Sequence, residues 1–163
     1  MLGSGAMTNS IEDVTRKAEV IMLVGSNPEE AHPVIGMQIR AAVERGCRLI
    51  AVDPRDIGLA AHADIHLKLR PGTNVAFANG IVNYLIQHEL YDEDFVRERT
   101  EGFEILAATV RDYTPARVAE ICDIDQRDLV SAAKMYGGAG AAAIVYCLGV
   151  TEHSTSGRCR TSR

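Results

Sequence analysis

Short apolar segments alternate with amphipathic ones along this chain, and their order predicts strands connected by helices. Unbroken apolar runs occur in EVIMLVG, CRLIAVDPR and AAAIVYCLG. Continuous rather than alternating hydrophobicity is typical of strands that are covered on both faces. Before the first run, IEDVTRKA predicts a short helix capped by Asn9 or Ser10. Between the first two runs, VIGMQIRAAVERG predicts a helix that ends at Gly46. This strand, helix and strand predict a βαβ unit.

The rest of the chain continues the pattern with more helix. DIHLKLRPG alternates apolar and polar residues, so we expect a third, half-exposed strand. A helix is predicted over about residues 74–86, and several short helices over residues 91–136 with N-caps at Asp92, Thr114 and Asp125. The segment SNPEEAHP contains two prolines, and we expect it to be irregular.

Length and composition favour one α/β domain with a mostly parallel sheet. The chain has 163 residues, of which 47% are hydrophobic and 5% aromatic, and this suits packed helix and sheet layers. We expect residues 1–9 to be a linker, residues 10–155 to form the domain, and the polar, arginine-rich residues 156–163 to be a non-native or truncated tail.

Charge and cysteine usage exclude several classes of function. A net charge of −5 argues against a nucleic-acid partner, and no apolar run approaches the ~18 residues of a membrane span. There is no secretory signal pattern, and no CxxC pair among Cys47, Cys122, Cys147 and Cys159. We therefore expect a reducing cytoplasmic location. The five histidines are scattered, and no metal site is predicted.

Two polar loops follow predicted strands and are candidates for ligand binding. The loop Gly25-Ser26-Asn27-Pro28 would lie at the carboxyl end of a parallel strand, where α/β folds bind nucleotides. Asp53 ends the next strand, where an acidic residue can bind ribose hydroxyls. Each feature has a structural alternative: the glycine loop as a plain turn, and Asp53 as the acceptor in an Asx turn.

A third candidate is Arg70-Pro71-Gly72-Thr73-Asn74, which joins the third strand to the next helix. Thr73 or Asn74 is expected to cap that helix. The Asn74 amide could also meet a base edge, because it both donates and accepts hydrogen bonds. No arrangement of a nucleophile with a base can be assembled, and no catalytic residue is assigned.

Six segments, taken in order, resemble the molybdopterin oxidoreductase superfamily. They are VGSNPEEAHPV, AVDPR, LRPGTN, YDEDFVRERTEGFE, YTPARVAEICDI and YCLGVTEH. The resemblance covers about residues 2–155 and is closest to the catalytic alpha subunits of formate dehydrogenases. It implies a three-layer Rossmann-like domain that binds a molybdopterin guanine dinucleotide.

The resemblance also assigns cofactor-binding roles to particular residues. It places the phosphates and sugar against the first loop, through Val24, Gly25, Ser26, Asn27, Glu29, Glu30 and His32. It places the guanosine end against Asp53, Pro54, Arg55, Gly72, Thr73 and Asn74. Many relatives carry Asp at the last of these positions, so Asn74 implies a modified contact. Leu148, Gly149 and Glu152 match a loop near the cofactor, where relatives often have Met and Gln.

The function implied by the resemblance is that of a cofactor-binding part of a larger enzyme. The full enzyme would oxidise formate to carbon dioxide at molybdenum, with iron–sulfur clusters and the metal ligand held elsewhere, and this chain alone would be inactive. The expected partners are the remaining domains and electron-transfer subunits, and exposed apolar faces are expected to permit self-association. Two alternatives stay open: another molybdopterin oxidoreductase such as a nitrate reductase, and a stand-alone nucleotide-binding or interaction module.

Overall fold

Four parallel strands form the central sheet of this protein. The computed structural model describes residues 9–152, so the expectations for residues 1–8 and for the tail at 156–163 lie outside the described residues. The strands are β1 (Val20–Val24), β2 (Arg48–Val52), β3 (Ile65–Leu67) and β4 (Ala142–Tyr146). Their order across the sheet is β3-β2-β1-β4. The α/β class with a parallel sheet is therefore confirmed.

Helices cover both faces of this sheet. They are α1 (Ile11–Lys17), α2 (Pro28–Ala31), α3 (Pro33–Glu44), α4 (Asn74–Gln87), α5 (Glu93–Arg99), α6 (Phe103–Val110), α7 (Pro115–Cys122), α8 (Gln126–Gly137) and α9 (Leu148–Thr151), with a 3₁₀ helix at Gly58–His62. No helix within residues 9–152 is long and apolar enough to cross a bilayer.

Successive side chains of a strand pack into two hydrophobic cores, one on each face of the sheet. The sheet and the helices on its two faces therefore form three layers. In β1, Val20 and Met22 pack on one face with side chains of α4, α7 and α8. Ile21 and Leu23 pack on the other face with side chains of α3 and the 3₁₀ helix. Neighbouring residues of a strand point to opposite faces, so a continuous apolar run is what a doubly covered strand requires.

Local signals in the sequence located most helix starts correctly. Ser10, Asp92, Thr114 and Asp125 are N-caps whose side chains accept hydrogen bonds from backbone N–H groups of the first turn. The expectation that SNPEEAHP is irregular was wrong, because α2 lies within it. Pro28 occupies the first turn of α2, where its missing N–H costs nothing.

The last strand differs from the other long strands in its surroundings. β4 pairs only with β1 among the described strands and forms one edge of the sheet. Ile144 is 51% exposed and Tyr146 is 62% exposed. Apolar side chains are thus accessible on this edge, as expected for a domain with further neighbours.

Candidate functional site

The strand order creates a crevice at the carboxyl edge of the sheet. The chain moves from β1 to β2 and β3 in one direction and then returns to β4 on the other side of β1. The strand order therefore reverses at β1, and open α/β sheets bind ligands at such a switch point. A cleft of about 410 Å³ lies here, between the loops that follow β1, β2, β3 and β4.

Two glycines bring the loops after β1 and β4 into direct contact. Gly25 has φ +53°, in the left-handed region that glycine adopts without strain. The Gly149 N–H donates to the Gly25 carbonyl at 3.1 Å. A Cβ on Gly25 would lie 2.8 Å from the Gly149 carbonyl carbon, and a Cβ on Gly149 would lie 2.6 Å from the Gly25 oxygen. Only glycine fits at either position without backbone movement.

The loop after β1 presents hydrogen-bond donors to the cleft. Ser26 and Asn27 line the cleft, and Ser26 is 5% exposed. Within residues 9–152, the backbone N–H groups of these two residues donate no hydrogen bond. Backbone donors at the start of a helix after a parallel strand suit an anionic group.

Asp53 is a buried carboxylate held by its own turn. It is 3% exposed and lines the cleft. Its Oδ1 accepts from the Arg55 backbone N–H at 2.9 Å and from Arg55 Nε at 3.2 Å. The Asx turn offered as the structural alternative is therefore present. It is compatible with ligand binding, because a carboxylate has more acceptor positions than Arg55 uses.

Two arginines give the cleft positive charge. The side-chain hydrogen bond and the charge of Asp53 raise the pKa of Arg55, which is therefore cationic at every physiological pH. Arg70 also lines the cleft, and its guanidinium donates to the Glu120 carbonyl at 3.1 Å. Glu30, which is exposed, adds a second carboxylate to the cleft lining beside that of Asp53.

Asn74 crosses the cleft and connects two of its walls. It is the first residue of α4, and its Nδ2 donates to the Gly149 carbonyl at 3.1 Å. The expectation that Thr73 or Asn74 caps α4 is confirmed for Thr73. Thr73 occupies the N-cap position, but its hydroxyl donates to the Arg70 carbonyl at 2.7 Å instead.

The structure brings together most, but not all, of the predicted site residues. The cleft is lined by Gly25, Ser26, Asn27, Glu30, Asp53, Pro54, Arg55, Asn74, Leu148 and Gly149. Six predicted residues do not line it: Val24, Glu29, His32, Gly72, Thr73 and Glu152. The Glu29 carboxylate lies beside Gly58, behind the loop, and His32 joins α2 to α3 on the surface.

Several lining residues had no predicted contact. They are Ala31, Val52, Leu69, Arg70, Pro71 and Cys147. Arg70 could have been predicted from the sequence, because it is a cation at the end of a predicted strand and belongs to the candidate segment 70–74. Among the described residues, no group of three or more His, Cys, Asp or Glu side chains could hold a metal ion.

Comparisons with known proteins find relatives over most of this chain. A model of the molybdopterin oxidoreductase family matches residues 3–160. An F420-dependent formate dehydrogenase subunit alpha from Methanocaldococcus jannaschii is 45% identical over 92% of this chain and 22% of its own length. An assimilatory nitrate reductase catalytic subunit from Bacillus subtilis is 34% identical over 93% of this chain and 21% of its own length.

One solved structure is similar to this chain in both fold and sequence. Acetylene hydratase from Pelobacter acetylenicus superposes with a TM-score of 0.76 at 33% identity, over 86% of this chain and 21% of that chain. The chain thus spans about a fifth of the length of the relatives that it matches.

Proposed function

The chain belongs to the molybdopterin oxidoreductase family, and we propose that its cleft binds the guanosine diphosphate end of a molybdopterin guanine dinucleotide. The family implies a molybdopterin cofactor with molybdenum. The observation that carries the proposal is the position of the cleft at the switch point between β1 and β4. Its volume of about 410 Å³ falls within the range of small-ligand pockets.

The donor set on one side of the cleft suits a pyrophosphate. Ser26 and Asn27, whose backbone N–H groups donate no hydrogen bond within residues 9–152, line the cleft together with Arg55 and Arg70. Backbone N–H groups and arginine forks are the usual partners of phosphate oxygens. Glu30, at the rim, would disfavour additional negative charge beyond the pyrophosphate.

The acceptors on the other side suit hydroxyl groups and the guanine edge. Asp53 is a buried carboxylate, which can accept from ribose hydroxyls or from guanine N–H groups. Asn74 donates through Nδ2 to Gly149, which leaves its Oδ1 as an acceptor. Pro54, Leu148 and Gly149 supply the non-polar surface between these groups.

We infer that the chain contributes binding and orientation rather than a reacting group. When bound, the molybdenum cofactor supplies the redox chemistry, and the side chains of this domain hold its nucleotide end in place. We propose that the domain serves a formate dehydrogenase, which oxidises formate to carbon dioxide with iron–sulfur clusters held in other domains. The support is the identity of 45% to a formate dehydrogenase, against 34% to a nitrate reductase.

The proposed setting is a longer polypeptide with electron-transfer partner subunits in a reducing compartment such as the cytoplasm. The name of the formate dehydrogenase relative, a subunit alpha, supports partner subunits. Three cysteines of the described residues, Cys47, Cys122 and Cys147, are free. The exposed Ile144 and Tyr146 of β4 support contacts with further domains or self-association.

Isothermal titration of the purified chain with GDP and ADP tests the nucleotide site. We expect GDP to bind with a roughly micromolar Kd and ADP to bind more weakly. Asp53→Asn should weaken GDP binding about tenfold, because it removes a charged acceptor. Asp112→Asn is the matched control, since Asp112 is an exposed acid that does not line the cleft. If Asp53→Asn binds GDP as well as the parent does, the assignment of Asp53 is wrong.

A further inference from the structure

The side chain of His66, a residue of β3, forms a hydrogen bond with the backbone carbonyl of Asp53. His66 Nε2 lies 3.0 Å from the Asp53 carbonyl oxygen. A carbonyl oxygen can only accept, so Nε2 carries the proton of this hydrogen bond. The side chain of His66 is 17% exposed, which places the bond largely out of competition with water. His66 was not among the predicted site residues.

This hydrogen bond replaces a missing contact of the sheet. The pairing of β2 with β3 ends at Val52 and Leu67, one residue before Asp53. Within residues 9–152, no backbone N–H donates to the Asp53 carbonyl. The imidazole is therefore the group that holds the Asp53 carbonyl where the strand ends.

The Asp53 residue is consequently held from both sides. His66 binds its carbonyl, and Arg55 binds its carboxylate through the backbone N–H and Nε. On the other side of the ring, the exposed Asp56 Oδ1 lies 3.9 Å from His66 Nδ1 and pairs with Lys68 at 2.6 Å. The Nε2–H donor exists in both the cationic imidazole and the neutral tautomer that carries its proton on Nε2, so the bond does not require a charged histidine.

We propose that His66 is a positioning residue for the nucleotide, which sets the direction of the Asp53 carboxylate by binding the Asp53 carbonyl. A recognition group must be held within about 0.5 Å of its productive position, and supporting hydrogen bonds provide this precision. The inference rests on the proposed function of the cleft. It adds that recognition by Asp53 depends on a side chain from a different strand that does not line the cleft.

Two substitutions separate the hydrogen bond from the packing of the ring. His66→Gln retains a side-chain N–H near the position of Nε2, whereas His66→Leu removes the donor and keeps an apolar side chain. If the leucine variant does not fold, His66→Met also removes the N–H donor and has a side chain that adapts more easily to the available space. His62→Leu is the control, because His62 is exposed at the end of the 3₁₀ helix and does not line the cleft.

Two measurements are made on each variant. The first, without ligand, is the NMR signal and solvent exchange of the Arg55 Nε–H, which reports the contact between Arg55 and Asp53. The second is the Kd for GDP. We expect His66→Leu to speed exchange of the Arg55 Nε–H and to weaken GDP binding about five- to tenfold, as loss of one hydrogen bond implies. His66→Gln should stay within about twofold of the parent.

The outcomes distinguish the inference from the proposed function. If His66→Leu leaves the Arg55 signal and GDP affinity unchanged, the inference is wrong. Equal losses in the glutamine and leucine variants would overturn it too, because packing rather than the donor would then be responsible. If the parent binds no GDP, the proposed function fails, and the Arg55 signal alone decides whether His66 positions Asp53.

Discussion

Replacement of Gly25 by alanine should destabilise the domain and disturb its cleft. Gly25 has φ +53°, which alanine adopts only with strain. The added Cβ would also lie 2.8 Å from the Gly149 carbonyl carbon and 2.9 Å from the Gly149 Cα. Both contacts are with backbone, which cannot rotate away as a side chain could. The loop after β4 must therefore move.

Two other glycines separate the strain from the steric contact. Gly102 has φ +76° with nothing within 4 Å of an added Cβ, so Gly102→Ala isolates the strain, at about 1–2 kcal/mol. Gly149 is not among the described residues with positive φ, and Gly149→Ala isolates the contact, at about 1–3 kcal/mol. Because Gly25→Ala suffers both penalties, we expect a loss of about 2–5 kcal/mol.

Urea unfolding followed by circular dichroism measures these losses. A change in the midpoint with an unchanged slope shows that stability itself has fallen. The Asn74 side-chain amide signal should also shift in Gly25→Ala and Gly149→Ala, because Asn74 donates to the Gly149 carbonyl. If Gly25→Ala loses no more stability than Gly102→Ala, the contact between the two loops is not as described, and the reasoning is refuted.

Two further predictions concern the core and the first helix. Leu129→Ala should cost about 2–5 kcal/mol in urea unfolding, since Leu129 is 1% exposed, whereas Ile105→Ala, at 74% exposure, should cost about 0.5 kcal/mol or less. Equal losses would contradict the assignment of the core. In NMR titration, Asp13 should titrate with a pKa of about 2, because its hydrogen bond with Lys17, and secondarily that with Ser10, lower it. Its contribution to stability should be present above pH 4 and lost as the pH falls towards 2, and Lys17→Gln should move the midpoint upward. An unchanged midpoint in that variant would exclude Lys17 as the main cause.

Most secondary structure could be predicted because its signals are local. The N-caps at Asp92, Thr114 and Asp125 were correct, and of the two candidates Asn9 and Ser10 the cap is Ser10. A capping side chain bonds to backbone within three residues, so its signal is local. The short helix α2 was missed, because prolines were interpreted as breaks although Pro28 is compatible with a first turn. Thr73 was correct as a candidate N-cap of α4, although its hydroxyl donates to the Arg70 carbonyl rather than bonding to the first turn of the helix.

Burial and side-chain direction could be predicted less well than element type. AAAIVYCLG has the apolar character of a central strand, but β4 lies at an edge with Ile144 half exposed. Glu29 was assigned to the cleft through the resemblance, and its carboxylate lies beside Gly58 instead. Neither outcome follows from neighbouring residues, because each depends on which distant element packs there.

The sequence by itself determined the chemistry available to this protein: a glycine loop after β1, a carboxylate at the end of β2, and polar groups before α4. Each depends on residue type and on interactions within a few positions. Only the tertiary structure decided that these groups share one cleft, because β4 returns beside β1 and places Gly149 against Gly25. Only it showed that His66 holds Asp53, since that hydrogen bond joins residues of different strands, 13 positions apart. Strand order is a property of the whole chain, and the site depends on that order.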